Sequence, residues 1–238
     1  MRPLTCRAPL ALGLLLAGVF PLAAAPAPAA PVQDFSSMPV DSCIDDGTAI
    51  GAWTFVYDGF GCTGFVSLNG NIVLIEQPHA SAQPAETHAG LALGPATMAD
   101  VTVQVDMATT LQLRTGSAPN AWEVGWLLWR FTDTQHFYYF IPKPNGWELG
   151  KADPAYAGGQ RFLATGDSPQ FPLGSWYRVR VVQTGNTIQV YVNNLVITTF
   201  TDFESPYTSG RVGLYTEDAE SYFDNVSVTG PVTKGKKK

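Results

Sequence analysis

The sequence predicts an all-β protein, a two-sheet antiparallel β-sandwich of jelly-roll type. Three observations carry this. Short apolar-rich segments recur along the chain, and several alternate with period two, which sends successive side chains to opposite faces of a strand. Turn pairs separate them: Asn69-Gly70, Asn145-Gly146, Gly158-Gly159, Gly185-Asn186 and Asn193-Asn194. No segment carries a 3.6-residue apolar stripe. Many short strands joined by Gly- and Pro-rich turns pack as a sandwich or jelly roll.

Residues 1–29 read as a secretory signal. Arg2 and Arg7 give a positive start, and Leu10 to Phe20 form an apolar run too short to span a bilayer. Ala27 and Ala29 place cleavage before Ala30. The expected product is secreted, with no membrane span. An Ala/Pro-rich stretch from Ala23 to Val32 continues into a leader at 30–33, expected to be disordered. One domain then spans 34–230, and Lys234, Lys236, Lys237 and Lys238 make 231–238 a basic tail.

Within the domain, strands are predicted at Trp53–Tyr57, Phe65–Leu68, Ile72–Ile75, Ala89–Leu93, Val101–Met107, Leu111–Leu113, Glu123–Phe131, Phe137–Ile141 and Trp147–Leu149. They continue at Arg161–Leu163, Tyr177–Val182, Thr187–Val192, Val196–Phe200, Val212–Tyr215 and Tyr222–Val228. In Thr187–Val192, for example, Ile188, Val190 and Val192 alternate with Gln189 and Tyr191.

Three cysteines are present, and Cys6 leaves with the signal. Cys43 and Cys62 are expected to pair in an oxidising compartment, adding roughly 3 kcal/mol by loop closure. Two unpaired thiols are the alternative. The formal charge is −6, and losing the two leader arginines leaves −8. That balance argues against nucleic acid and against anionic membrane surfaces as partners.

Aromatic residues crowd the middle of the chain. Trp122, Trp126, Trp129, Phe131, His136, Phe137, Tyr138, Tyr139, Phe140 and Trp147 fall in one short span. Arg130 is costly to bury unpaired. Trp122, Trp126 and Arg130 are therefore placed on a ligand face, with Leu127, Trp129 and Phe131 inward. The matching set on the next strand is His136, Tyr138 and Phe140. The plain alternative makes these rings core and Arg130 a rim charge. Beyond the Asn145-Gly146 turn, Trp147, Glu148 and Lys151 stand together, either as ligand contacts or as a solvated hairpin.

Ser175-Trp176-Tyr177-Arg178-Val179-Arg180-Val181, Asn186 to Val192, Gly210 to Tyr215 and Tyr222 to Val226 follow one another in an order that resembles the closing strands of the concanavalin-A-like jelly-roll superfamily. Gly125 to Arg130, Asp133 and Phe137-Tyr138 resemble its middle strands. The nearest resemblance is to laminin-G-like modules and to the 3-keto-disaccharide hydrolase domain, related to family 16 glycoside hydrolases. It covers roughly Asp34 to Thr229 and implies a carbohydrate partner, a polysaccharide or oligosaccharide, met on a concave aromatic face. A monomer is expected.

Activity is less determined, because such folds carry lectins, hydrolases and lyases alike. A glycosidase needs two carboxyls about 5–10 Å apart. The Glu-x-Asp-x-x-Glu strand of laminarinase-type jelly rolls is not present. Glu123 and Glu148 are the best remaining acids. A lyase would use His136 or Tyr138 as base and a cation against the sugar. Trp126, Arg130, Trp147, Lys151, His88 and Arg114 are the candidate ligand contacts. Hydrolase, lyase and non-catalytic glycan-binding or adhesion module stay open. The alternation of the last strand puts Asp224 on the inward side with Val226 and Val228. The resemblance implies a structural Ca²⁺ near the last strand and the N-terminal segment, so Asp34 and Asp224 are candidate ligands. Backbone capping by Asp224 is the alternative.

Overall fold

The computed structural model describes residues 32–94 and 99–230. The signal, residues 30–31 and the basic tail lie outside them. The described chain runs β1 (Val32–Gln33), β2 (Ala49–Ile50), β3 (Trp53–Tyr57), β4 (Cys62–Leu68), β5 (Asn71–Gln77), β6 (Ala89–Leu93), β7 (Val101–Gln112) and β8 (Gly125–Asp133). It continues with β9 (His136–Lys143), β10 (Gly146–Ala152), β11 (Gln160–Gly166), β12 (Tyr177–Thr184), β13 (Thr187–Val192), β14 (Leu195–Thr201), β15 (Arg211–Glu217) and β16 (Ala219–Thr229).

The strands make two antiparallel sheets. One has the order β14-β13-β12-β7-β16-β5-β4, with β1 also on β16. The other runs β11-β10-β9-β8-β15-β6-β3-β2. The expected all-β jelly-roll sandwich is what forms. Two expectations are corrected. The segment from Val101 to Gln112 is one strand, not two. The leader is not wholly unstructured, because Val32 and Gln33 pair with Ser227 and Val226, and the Gln33 amide oxygen accepts from the Trp53 indole.

Alternation decides what enters the core. Val103, Val105 and Met107 of β7, Val179 and Val181 of β12, and Leu127, Trp129, Tyr138, Phe140 and Leu149 of the second sheet fill the space between the layers. A smaller cluster, with Trp126, Leu128, Tyr139 and Ile141, covers the outer face of the second sheet.

Two bulges reset the alternation. At Arg130 the backbone takes φ 50°, and both partner strands lose register there. A Cβ on Gly210 would stand 2.1 Å from the Arg130 carbonyl carbon, so glycine is required opposite. Phe131 is thereby turned to the outer cluster. A second bulge follows Asp224, where Asn225 has φ 52°. Phe223 and Val226 therefore both enter the core, and Asp224 does not share a side with Val226 as strict alternation predicts.

Cys43 and Cys62 are joined. Beside the disulfide, residues 41–44 lie along the outer edge of β4. Asp41 and Phe65 exchange backbone hydrogen bonds, and the Ile44 N–H donates to the Thr63 carbonyl.

Candidate functional site

On the outer face of the second sheet a hollow of ≈ 500 Å³ is lined by Trp122, Trp126, Lys143, Asn145, Glu148, Gln160, Phe162 and Glu217, with Ala121 and Gly158. Five neighbouring elements build it. Trp126 of β8 pairs with Tyr215 of β15, and Glu148 of β10 with Ile141 of β9. Trp126 lies 5.1 Å from the Tyr139 ring and edge-on to Tyr215 at 5.2 Å. Its indole donates to the Trp122 carbonyl at 2.8 Å, fixing the loop before β8. Trp122 and Phe162 remain 44% and 52% exposed, so their rings are free to meet a ligand.

The hollow is also charged. Glu148 accepts from Lys143 Nζ at 2.9 Å and from the Tyr139 hydroxyl at 3.1 Å. The Tyr215 hydroxyl donates to Glu217 Oε1 at 2.6 Å. Burial raises the Glu217 carboxyl to about 7, against the opposing pull of the Tyr215 hydrogen bond and with help from Asp218, Glu123 and Glu148. Such a group takes up and releases protons near neutral pH.

The structure brings three of the expected residues or their neighbours into this hollow: Trp126, Glu148 and, on the approach, Trp122. The others lie elsewhere. β8 and β9 pair Trp129 with Tyr138, so Tyr138 shares the inward side of Trp129 and donates to Asp202 at 2.7 Å. Phe140 is likewise core, and it is Tyr139 and Ile141 that face out. Arg130 is buried by its bulge, with its guanidinium donating to the carbonyls of Ala99, Gly185 and Tyr207. It ties the two sheets together at one end and reaches no ligand face. His136 is partly exposed against Asp133 and Tyr207, away from the hollow. Trp147 packs on Phe140 inside the core and donates to the Ser168 carbonyl. Lys151 is fully buried, 3.0 Å from Asp202 and within reach of the Glu204 carbonyl.

Glu123 and Arg114 form a buried ionic cluster. Arg114 Nε meets Glu123 at 2.6 Å and its Nη2 meets Asp218 at 2.8 Å. Both acids are therefore spoken for by one guanidinium, and Glu123 stands outside the hollow. His88 belongs to a separate cleft with Asp46, Tyr57, Asp58 and Phe60.

Asp34 and Asp224 stand close enough for Asp34's charge to help raise the Asp224 carboxyl, after burial and alongside Asp106. Asp224 accepts from the Asn225 N–H and the Asn71 amide, both at 2.7 Å. Asp34 accepts from Ser36. Calcium takes six to eight oxygens. Among the described residues no group of three or more Asp, Glu, His or Cys side chains is placed to hold a metal ion.

Sequence reasoning missed Glu217, Lys143, Gln160 and Phe162. The signal for Glu217 was present. In Val212–Tyr215 extended by two residues, Tyr215 and Glu217 alternate together, and their strand lies beside β8.

A family model for the 3-keto-alpha-glucoside-1,2-lyase-like domain matches residues 45–229. The chain belongs to this family. All but one of the residues lining the hollow that carry charge or rings lie well inside the match, and Glu217 falls near its end. Among solved structures, the carbohydrate-binding module CBM66 from Bacillus subtilis is 16% identical, with 75% of this chain and 96% of that one covered and a TM-score of 0.55. A Bacteroides ovatus GH16 enzyme in complex with a G4G4G3G product is 8% identical, covering 78% and 98%, at 0.53. A galectin-like protein from Bacillus subtilis is 14% identical, covering 76% and 90%, at 0.52. These likenesses show a shared jelly-roll fold. None of the curated proteins matches the chain in sequence.

Proposed function

We propose that this is an exported carbohydrate-active protein that cleaves a 3-keto glycoside by elimination in the hollow on the second sheet. The observation that carries the reading is the meeting of exposed rings with a carboxyl of near-neutral pKa, Glu217, in one site. The family match supports the substrate class.

A pyranose has an apolar face that stacks on rings such as Trp122 and Phe162, and its hydroxyls need the amides of Asn145 and Gln160 and the Glu148 carboxylate. A ketone at C3 acidifies the C2 hydrogen. A base takes that proton, the freed electron pair forms a C1–C2 double bond, and the C1–oxygen bond breaks. The leaving oxygen then gains a proton. Glu217 has the pKa such a base needs near neutral pH. Lys143 supplies positive charge against the developing enolate oxygen.

The test compares a 3-keto glucoside with its unoxidised parent, following release of the aglycone. Glu217→Gln is expected to lower turnover by about 10²-fold or more while leaving binding in place. Binding of glycan by the wild type with no release from any member of a glycoside panel would instead make this a non-catalytic glycan-binding module.

A structural Ca²⁺ at Asp34 and Asp224 is a separate proposal. Asp106 is already held by Arg178 and Asn225, so the proposal rests on Asp34 and Asp224 alone.

A further inference from the structure

A second hollow, of ≈ 490 Å³, lies on the outer face of the first sheet, on the other side of the sandwich. We propose that it is a second saccharide site, for a neutral sugar residue stacked on Trp176. It is independent of the elimination reading, which concerns the other sheet.

Its floor is a chain of hydrogen bonds crossing four adjacent strands. Arg178 of β12 holds Asp106 of β7 with two bonds of 2.7 Å. Asn225 of β16 donates to Asp106 at 3.0 Å and also to Asp224. Asn71 of β5 donates to Asp224 at 2.7 Å. The strands lie in that spatial order, with Arg178 paired to Asp106 and Asp106 to Asp224. Side chains here point out because Val105, Val179 and Phe223 point in.

Turn chemistry accounts for Asn69 and Asn194, which also line the hollow and have positive φ. A positive φ also accounts for Asn225 at its bulge, but not for Asn71, Asp106, Arg178 and Asp224 in one row across the middle of a sheet. Nor does it account for Trp176, an indole left 43% exposed beside that row. The Arg178–Asp106 pair, with its guanidinium half-exposed, contributes little to stability. Fixed donors and acceptors beside an open aromatic ring match the two faces of a sugar, hydroxyls on one side and C–H groups on the other. Charge selects among sugars. Arg178 is neutralised by Asp106, and Asp224 adds a further negative charge, so a uronate or sulfated sugar is disfavoured.

The six tryptophans give six indole N–H signals in a ¹⁵N-labelled sample. That of Trp176 is assigned with Trp176→Phe. The protein is titrated with cellotetraose, maltotetraose and an anionic hyaluronan tetrasaccharide, all with chelator present so that no cation takes part. The expected result is a saturating shift of the Trp176 signal with a neutral tetrasaccharide and none with the anionic one. Trp176→Ala should lower affinity at this site at least ten-fold and leave the response of Trp122 untouched. Arg178→Ala, a change at an exposed side chain, should weaken it several-fold. A Trp176 signal that stays fixed with both neutral sugars overturns the site, as does a response that appears only when calcium replaces chelator. Neither outcome bears on Glu217, whose test is turnover.

Discussion

The Tyr215 hydroxyl donates to Glu217 on the same face where the Tyr215 ring stands edge-on to Trp126. One tyrosine thus sets both a carboxyl and an indole of the hollow. The hydrogen bond lowers the Glu217 pKa, while burial raises it to about 7. Tyr215→Phe removes the lowering contribution. The alkaline-going rise in rate assigned to Glu217 should therefore move to higher pH in this variant. An unchanged pH–rate profile would separate Glu217 from the proton transfer.

The same shift bears on stability. Glu217 titrates near 4.5 when unfolded and near 7 when folded. Between those values the folded state holds more protons, so stability falls as pH rises through this window. Glu217→Gln should remove this loss, making the variant less sensitive between pH 5 and 8 by on the order of 1–3 kcal/mol. Urea unfolding at the two pH values measures it.

Trp122 and Trp126 should separate binding from folding. Trp122 is half-exposed, so Trp122→Ala should weaken sugar binding by about 1–3 kcal/mol with little change in melting temperature. Trp126 is buried among Tyr139, Tyr215 and Leu128, and its removal should also cost about 3–5 kcal/mol of stability. Equal stability loss in both variants would contradict this division.

Arg114 is a structural cation. Arg114→Met leaves Glu123 and Asp218 buried without their partner, at a cost of about 3–5 kcal/mol. Adding Glu123→Gln and Asp218→Asn should recover part of it. Sugar binding per folded molecule should stay close to wild type in Arg114→Met, which distinguishes Arg114 from a ligand contact.

For the proposed calcium, about 5 mM Ca²⁺, above the roughly 10⁻⁴–10⁻³ M dissociation constants of extracellular calcium modules, should raise the melting temperature relative to chelator. Asp224→Asn should lose most of the response. A melting curve indifferent to both would leave Asp224 with Asn71 and Asn225 alone.

The sandwich was legible because its signals are local. Period-two alternation and Asn-Gly turns locate Trp53–Tyr57, Ala89–Leu93 and Thr187–Val192 at the bounds the structure gives them. The site was legible only in part because facing depends on register, which is not local. Alternation puts Trp126 and Trp129 on the sides the structure gives them. It does not do so for Tyr138, because its face follows from pairing with Trp129 across the hairpin. Arg130 was misplaced because a bulge breaks the alternation at that residue, and its burial is met by three backbone carbonyls that no spacing reveals. Asp224 fails for the same reason, a bulge at the adjacent Asn225. Glu217 was missed because its carboxyl matters only through its neighbours Tyr215 and Trp126.

The segment 41–44 has a use beyond tying down a loop. An outermost strand offers a free row of N–H and C=O groups to any extended chain that drifts past. On β4 that row is already occupied by Asp41 and Ile44, and the Cys43–Cys62 bond keeps the occupant in place. The cross-link therefore keeps this edge of the sheet closed to a further strand. Reductant at a concentration that leaves the fold intact should shift the protein to larger species on size-exclusion chromatography, while the oxidised protein keeps its elution volume.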